Sequence, residues 1–283
     1  MHDFIIYTDG GSRSNPGPAA IGVVISNGKG EILKKYGADS LRLWAATSRL
    51  GDDLRYKEED IKNCQKTVTK LWNAGKFVFT HLEDYKNLCA KPEVMDQWLL
   101  IKLNNAVKQA TEGFEIYEYS QAKRAADGFF WNVFCDNYLE IVKDRLYNPD
   151  KRGKEERLSA QCTLYKSLLE ILKIFAPFAP FATEEIFNSY YADKENSKSI
   201  HLLEWPKHDE NISDKKTEEI GDRFVELLSE VRKFKSEKGK SLKEGVKVVL
   251  QENDFKLMKD CMDDFKAACK AKEVKSGKKF SVA

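Results

Sequence analysis

The sequence has no C-x-x-C pair, few histidines and no long apolar run. Its six cysteines, Cys64, Cys89, Cys135, Cys162, Cys261 and Cys269, are scattered, four of them on apolar helical stripes. Buried free thiols in a reducing compartment are therefore expected, not a disulfide scaffold. His81, His201 and His208 are isolated and lack ligand spacing, so no metal site is expected. No window approaches the roughly 18 apolar residues of a membrane span. The opening residues, Met1 to Asp9, show no basic n-region and too short an apolar run for a secretory signal. A cytoplasmic protein without a membrane partner is the expectation. Charge of one sign is also missing: 47 basic residues stand against 45 acidic ones, a formal net charge of +2. Affinity for nucleic acid must then come from local basic faces, not from a global field.

What is present is core material. Of 283 residues, 42% are hydrophobic and 11% aromatic, enough for one large domain or two modest ones. The pattern is β before residues 31–37, with strands expected over Phe4–Thr8 and Ala20–Ile25 around a glycine-rich loop, and a second turn at Asn27-Gly28. Beyond residue 37 it is helical. Ile61, Cys64, Val68, Leu71, Trp72 and Phe79 recur at helix spacing behind the acidic first turn Glu58-Glu59-Asp60. Further helices are expected over about 93–112, 116–146 and 155–175. The third carries the apolar stripe Ile116, Tyr119, Ala126, Phe130, Phe134, Tyr138 and Ile141. Pro177 and Pro180 stop the next one, and Thr183 is the expected N-cap of its successor. The last third predicts a helix over about 214–237, a strand over 246–250, a helix over 254–268 and a terminal hairpin over 272–282 turning at Ser276-Gly277.

The run Tyr7-Thr8-Asp9-Gly10-Gly11-Ser12-Arg13-Ser14-Asn15-Pro16-Gly17-Pro18 and the strand after it resemble the N-terminal hairpin of type 1 ribonuclease H. The resemblance covers only about residues 1–35 and implies Asp9 as one of four metal-binding carboxylates. Two-metal hydrolysis needs several acids around a metal pair roughly 4 Å apart, and the following sequence offers none at the family's positions. Asp9 is expected to be an orphan, with no complete catalytic site and no bound metal.

From residue 34 to 283 the blocks resemble the valyl-tRNA synthetase family in one unbroken order. They are Tyr36-Gly37-Ala38-Asp39-Ser40-Leu41-Arg42, Leu50-Gly51-Asp52-Asp53, Lys70-Leu71-Trp72-Asn73-Ala74, Asp96-Gln97-Trp98, Phe129-Phe130-Trp131-Asn132-Val133-Phe134-Cys135-Asp136, Ala176-Pro177-Phe178-Ala179-Pro180-Phe181 and Glu204-Trp205-Pro206. The resemblance implies a mainly α fold: a helical bundle of the class I synthetase anticodon-binding type, with an N-terminal β-hairpin fragment and a small C-terminal α+β appendix. It divides the chain into a hairpin fragment (1–35), a helical connector (36–90), the bundle (91–210) and a helix with the appendix (211–283).

The family adenylates valine with ATP and magnesium through an H-I-G-H-like motif and a K-M-S-K-S loop, neither of which occurs in this sequence. Bound cofactors and activity are therefore not expected of these residues alone; a catalytic half in trans would supply both. The implied partner is tRNA, the valine acceptor first. Candidate RNA contacts are Lys62, Lys66, Lys70 and Lys76, which fall within about 120° on a helix of roughly 3.6 residues per turn, together with Arg55, Asn73, Lys123, Arg124, Lys143 and Arg145. A second basic run spans Arg232 to Lys247. Trp72, Phe130, Trp131 and Phe134 are expected in the core. Two other readings stay open: a hybrid-binding or ribonuclease H remnant, and a misjoined gene fragment without a selected role.

Overall fold

A computed structural model describes the backbone of residues 4–12, 19–27 and 32–283, with side chains from Tyr36 onward. It is mainly helical, as expected, and divides into two compact units. No helix among the described residues is long and apolar enough to cross a membrane.

The first unit comprises residues 1–80, 106–128 and 167–208. Strands β1 (Phe4–Ser12), β2 (Ala19–Asn27) and β3 (Ile32–Gly37) form an antiparallel sheet in sequence order. The expected hairpin is thus joined by a third strand, with Asp9 opposite Gly22 and Gly22 opposite Gly37. Helix α1 (Ala38–Ala45) follows directly, then α2 (Glu58–His81). Tyr36 and Ile61 pack together with Leu41 and Trp44 against them. The buried stripe of α2 is Ile61, Cys64, Leu71, Ala74 and Val78, the 3.6-residue period of an amphipathic helix.

Two close approaches shape this unit. A Cβ on Gly113, in the last turns of α3 (Val94–Glu115), would lie 2.7 Å from the Ala122 backbone nitrogen in α4 (Tyr119–Gly128). Only glycine allows the two helices to turn so tightly. Asp39 on α1 accepts the backbone N–H of Ala182 at 2.7 Å and of Phe181 at 3.4 Å, the orphan donors at the start of α9 (Pro180–Asn188). A carboxylate from a distant segment therefore caps α9. Thr183, the expected N-cap, lies inside the first turn instead; Pro180 takes the first helical position, where its missing N–H costs nothing. The Thr183 hydroxyl donates back to the Ala179 carbonyl at 2.9 Å.

The second unit comprises residues 81–105, 129–166 and 209–283. The single helix expected over 116–146 is divided. Tyr117 takes a left-handed φ of 59°, and Ile116, placed by periodicity on the buried stripe, is 61% exposed in the turn before α4. Residues Phe129–Tyr138 form a wide helix with i→i+5 bonding, followed by the short helices α5 (Leu139–Ile141), α6 (Lys143–Tyr147) and α7 (Pro149–Arg152). Phe130 and Phe134 are buried as expected, while Trp131, and Trp72 in the first unit, are only half-buried. Helices α8 (Lys154–Phe175) and α10 (Lys215–Glu237) match their expected spans, and Asp214 caps α10 through the Lys216 N–H at 3.0 Å. A Cβ on Gly221 would lie 2.1 Å from the Trp98 ring, so glycine is what lets α10 approach the indole.

The C-terminal appendix differs from expectation in its pairing. Strand β4 (Val246–Gln251) lies between β5 (Ala271–Gly277), parallel to it, and β6 (Ser281–Val282), antiparallel. The crossover from β4 to β5 carries α11 (Glu252–Leu257) and α12 (Met262–Cys269). No terminal hairpin forms because β5 and β6 bond to opposite edges of β4. Cys89 and Cys162 are joined in a disulfide, correcting the expectation of six free thiols, whereas Cys64, Cys135, Cys261 and Cys269 are free and buried. Chain periodicity carries no information on a contact between residues 73 positions apart.

Candidate nucleic-acid interface

Helix α2 presents a face opposite its buried stripe on which Lys62, Lys66, Asn73 and Lys76 are exposed and Lys70 is half-buried. The acidic first turn neutralises one end: Glu58 holds Lys62 at 2.9 Å. Further along, Lys66 donates to the neutral Asn63 Oδ1 at 2.9 Å, and the Lys76 ammonium lies 5.5 Å from the centre of the Trp72 ring. Neither contact sets a carboxylate against Lys66 or Lys76. Gln65, Thr69 and Thr80 are exposed on the same face. Reading the helix for charge alone overlooks them, although the 3.6-residue period that places the lysines also places these polar groups. Arg55 is exposed in the segment before α2, and Arg124 is exposed on α4, where it donates to Ser120 Oγ at 3.2 Å.

Three other candidates are placed differently. Lys123 is buried and ion-paired with Asp127 one turn on, so it is not available to phosphate. Lys143 belongs to the second unit and is held by Glu140 at 2.5 Å. Arg145 is fully buried: its two terminal nitrogens donate to the two Asp96 oxygens at 2.7 and 2.8 Å, and its Nε lies 3.3 Å from Asp264. A guanidinium with no exposed surface and two carboxylate partners cannot reach RNA, and Arg145 is corrected to a structural residue. Sequence could not tell it from Lys143 two positions earlier, because its carboxylate partners lie 49 and more residues away.

The first unit also has a depression of about 650 Å³ lined by Lys108, Thr111, Glu112, Trp205 and Lys207 among others. The Trp205 indole donates to Thr111 Oγ at 2.8 Å, and its ring meets Phe114 edge-on at 5.2 Å, so it is a fixed aromatic wall. Among the described residues no group of three or more His, Cys, Asp or Glu converges as a metal centre would require. Asp9 lies on β1, but its side chain is outside the described residues, and so is its reading as a metal ligand.

Together these features describe a mainly helical module with an exposed basic face on α2 and no metal-type cluster among its described residues. Residues 96–250 match the model for the anticodon-binding domain of tRNA ligase, and the chain belongs to that family. It is 41% identical over 249 residues to the valine–tRNA ligase of Wolbachia sp. subsp. Brugia malayi, covering 86% of this chain and 28% of that protein. It is 39% identical over 255 residues to that of Ehrlichia ruminantium (strain Welgevonden), covering 89% and 31%, and 36% identical over 254 residues to that of Rickettsia felis, covering 86% and 29%. The chain thus spans less than a third of the length of these relatives. A LeuRS of Agrobacterium radiobacter K84, crystallised in a ternary complex with tRNA, aligns with a TM-score of 0.48 at 13% identity, over 76% of this chain and 21% of that one.

Proposed function

We propose that these residues are the tRNA-gripping portion of a valine–tRNA ligase, acting in aminoacylation together with a catalytic portion supplied from outside residues 1–283. The observation that carries the reading is the exposed lysine face of α2, set on a helix whose opposite side is locked in the core. Such a face meets phosphates without disturbing the fold, and phosphate contact supplies most of the sequence-independent affinity for nucleic acid. The aromatic wall at Trp205 adds a surface on which an unstacked base can lie, the mode by which single-stranded RNA is recognised. ATP and magnesium belong to the adenylation step of the intact enzyme. With neither signature motif in the sequence, no part of that step is assigned to these residues.

Gel-shift or filter binding at low salt tests the proposal. Wild-type chain should prefer tRNA over duplex DNA. Four lysine contacts give a log–log salt slope of about −3 to −4. Lys66→Glu with Lys70→Glu should weaken binding roughly tenfold or more and flatten the slope by about two. Equal affinity for tRNA and duplex DNA, or no change in the double variant, sinks the reading. Incubation with an RNA–DNA hybrid and magnesium provides the contrasting arm: intact hybrid is the expected result.

A further inference from the structure

The excess positive charge of this chain is confined to its C-terminal end. Residues 232–283 carry 15 lysines and arginines against eight acids, a balance of +7; residues 1–231 carry 32 against 37, a balance of −5. The overall +2 hides this partition.

Two of the cations hold the fold. Arg232 donates to Asn137 Oδ1 at 2.9 Å. Lys235 is buried, and its ammonium donates to the Leu242 carbonyl at 2.9 Å and the Cys269 carbonyl at 2.8 Å. That bridge fastens the 238–245 loop to the end of α12. The Val246 N–H donates to the Lys270 carbonyl at 3.2 Å, and a Cβ on Gly245 would lie 2.6 Å from Lys272 Cε. The loop lysines Lys238, Lys240 and Lys243 are thereby brought to the same edge as Lys270 and Lys272 at the start of β5, with Lys247 one residue into β4. All are exposed except Lys240, which is half-buried with its ammonium 5.5 Å from the Phe234 ring. None of the six is ion-paired with a carboxylate among the described residues. Three acids dilute this edge: Glu244 accepts the Ser241 N–H at 3.2 Å, Glu273 is held by Lys275 at 2.8 Å and pairs in register with Lys247, and Glu237 is exposed at the end of α10. Lys270 itself ends α12 in the left-handed region at φ 54°, a position where glycine is the unstrained choice.

We propose that this edge of the appendix is a second RNA-binding surface, which grips the phosphate backbone of tRNA independently of the α2 face. Lysine is depleted from protein–protein interface centres, which favour aromatics and arginine. Here six lysines gather at one edge, and Leu242 in the 238–245 loop is the one large exposed apolar side chain among the described residues of this segment. Ammonium groups on flexible stems, in excess over the acids of this edge, suit phosphates, which they meet as point charges.

The test is tRNA binding by the full chain carrying Lys243→Glu with Lys272→Glu, measured across a salt series beside wild type, Lys66→Glu/Lys70→Glu and the four-site combination. Circular dichroism melts confirm that each variant folds, and Lys243→Arg/Lys272→Arg controls for charge. The appendix variant should bind about tenfold more weakly at low salt with a salt slope reduced by about two. The arginine variant should match wild type, and the two surfaces should combine multiplicatively. If only the α2 variant loses affinity, the appendix proposal falls while the α2 reading stands; if only the appendix variant does, the reverse holds. Poly-L-glutamate competing as well as tRNA at equal charge would also overturn the proposal, since the surface would then read charge without RNA.

Discussion

Replacing Arg145 by methionine should destabilise the second unit by about 3–5 kcal/mol, the range for removing one member of a buried ion pair. The figure follows from what the guanidinium leaves behind. Asp96, fully buried, accepts two bonds from Arg145, one from Tyr138 Oη at 2.7 Å, one from Ser159 Oγ and a longer one from the Glu93 N–H at 3.3 Å. Asp264, also buried, has Arg145 at 3.3 Å and Arg152 at 2.7 Å. Without Arg145, Asp96 becomes an uncompensated buried charge. Against a total stability of about 5–15 kcal/mol for an ordinary domain, the loss is large enough to read by urea denaturation followed by circular dichroism. The pH dependence gives a second signature. Burial opposes ionisation of Asp96, but the Arg145 charge and the bonds from Arg145, Ser159 and Tyr138 outweigh it and hold the carboxyl below its ordinary value. In the wild type this stabilisation is present above about pH 4 and lost as pH falls through the depressed value. In the variant the depressing charge is gone and burial stays, so the Asp96 pKa rises and protonation relieves the cost. The gap between variant and wild type should be widest at pH 7 and narrow toward pH 4. Adding Asp96→Asn should recover part of the loss, because the pair leaves no lone charge. A midpoint shift under about 1 kcal/mol with weakened tRNA binding would refute the reasoning and restore Arg145 as an RNA contact.

Thiol alkylation of the denatured protein in non-reducing buffer should label four of the six cysteines; labelling of all six would exclude the Cys89–Cys162 bond. Reducing that bond should lower stability by about 4 kcal/mol, from the loop-closure entropy of a roughly 70-residue ring, read as a fall in the urea midpoint. Asp39→Ala should cost about 1 kcal/mol through the lost cap on α9, and an unchanged thermal midpoint would show that solvent replaces the carboxylate. His81 is buried, and burial first, then the Arg157 charge, push its imidazole below the usual value. The unfolded chain takes its proton first as pH falls, so stability is present above about 6.5 and declines below it. Unfolding midpoints at pH 7.5 and 5.5 should differ more in wild type than in His81→Gln.

The long helices were legible because their signals are local. The apolar period, the acidic first turns and the Asp214 cap all act within four residues, and α8 and α10 lie within a residue of their expected bounds. The errors share an opposite cause. Ile116 has the right spacing for a buried stripe, yet the turn at Tyr117 lifts it into solvent. Thr183 is a sound cap by composition, but Asp39, 144 positions earlier, already satisfies the donors of Phe181 and Ala182 just before it. The terminal hairpin has turn residues in place, and β6 nonetheless prefers the free edge of β4. For Thr183 and the hairpin a distant partner decided between states that local chemistry leaves nearly equal. The α2 face was legible for the same reason as the helices: its exposure follows from the burial of the opposite stripe.

The basic residues of the second unit sort by type in a way that bears on the proposed appendix surface. All five arginines of the second unit have partners inside the fold: Arg145 with Asp96 and Asp264, Arg152 with Asp144, Glu156 and Asp264, Arg157 with Asp84, Arg223 with Asp254 and Glu226, and Arg232 with Asn137. The planar fork of a guanidinium meets a carboxylate with two parallel bonds and is weakly hydrated, so it suits enclosed pairing. An ammonium is strongly hydrated and sits on a flexible stem, which makes it costly to bury and inexpensive to leave in solvent. Lys235 is the exception that tests the rule. It is buried only because two carbonyls accept from it, and burial, the largest cause, pushes its pKa down. With the arginines held by internal partners, the proposed contact between this unit and RNA falls to lysines. Such contact should be strongly salt-dependent and weakly sequence-specific, because lysine meets phosphate as a point charge and lacks the bidentate geometry with which arginine reads guanine. A binding mode of that kind suits a surface that holds tRNA in place while base identity is read elsewhere.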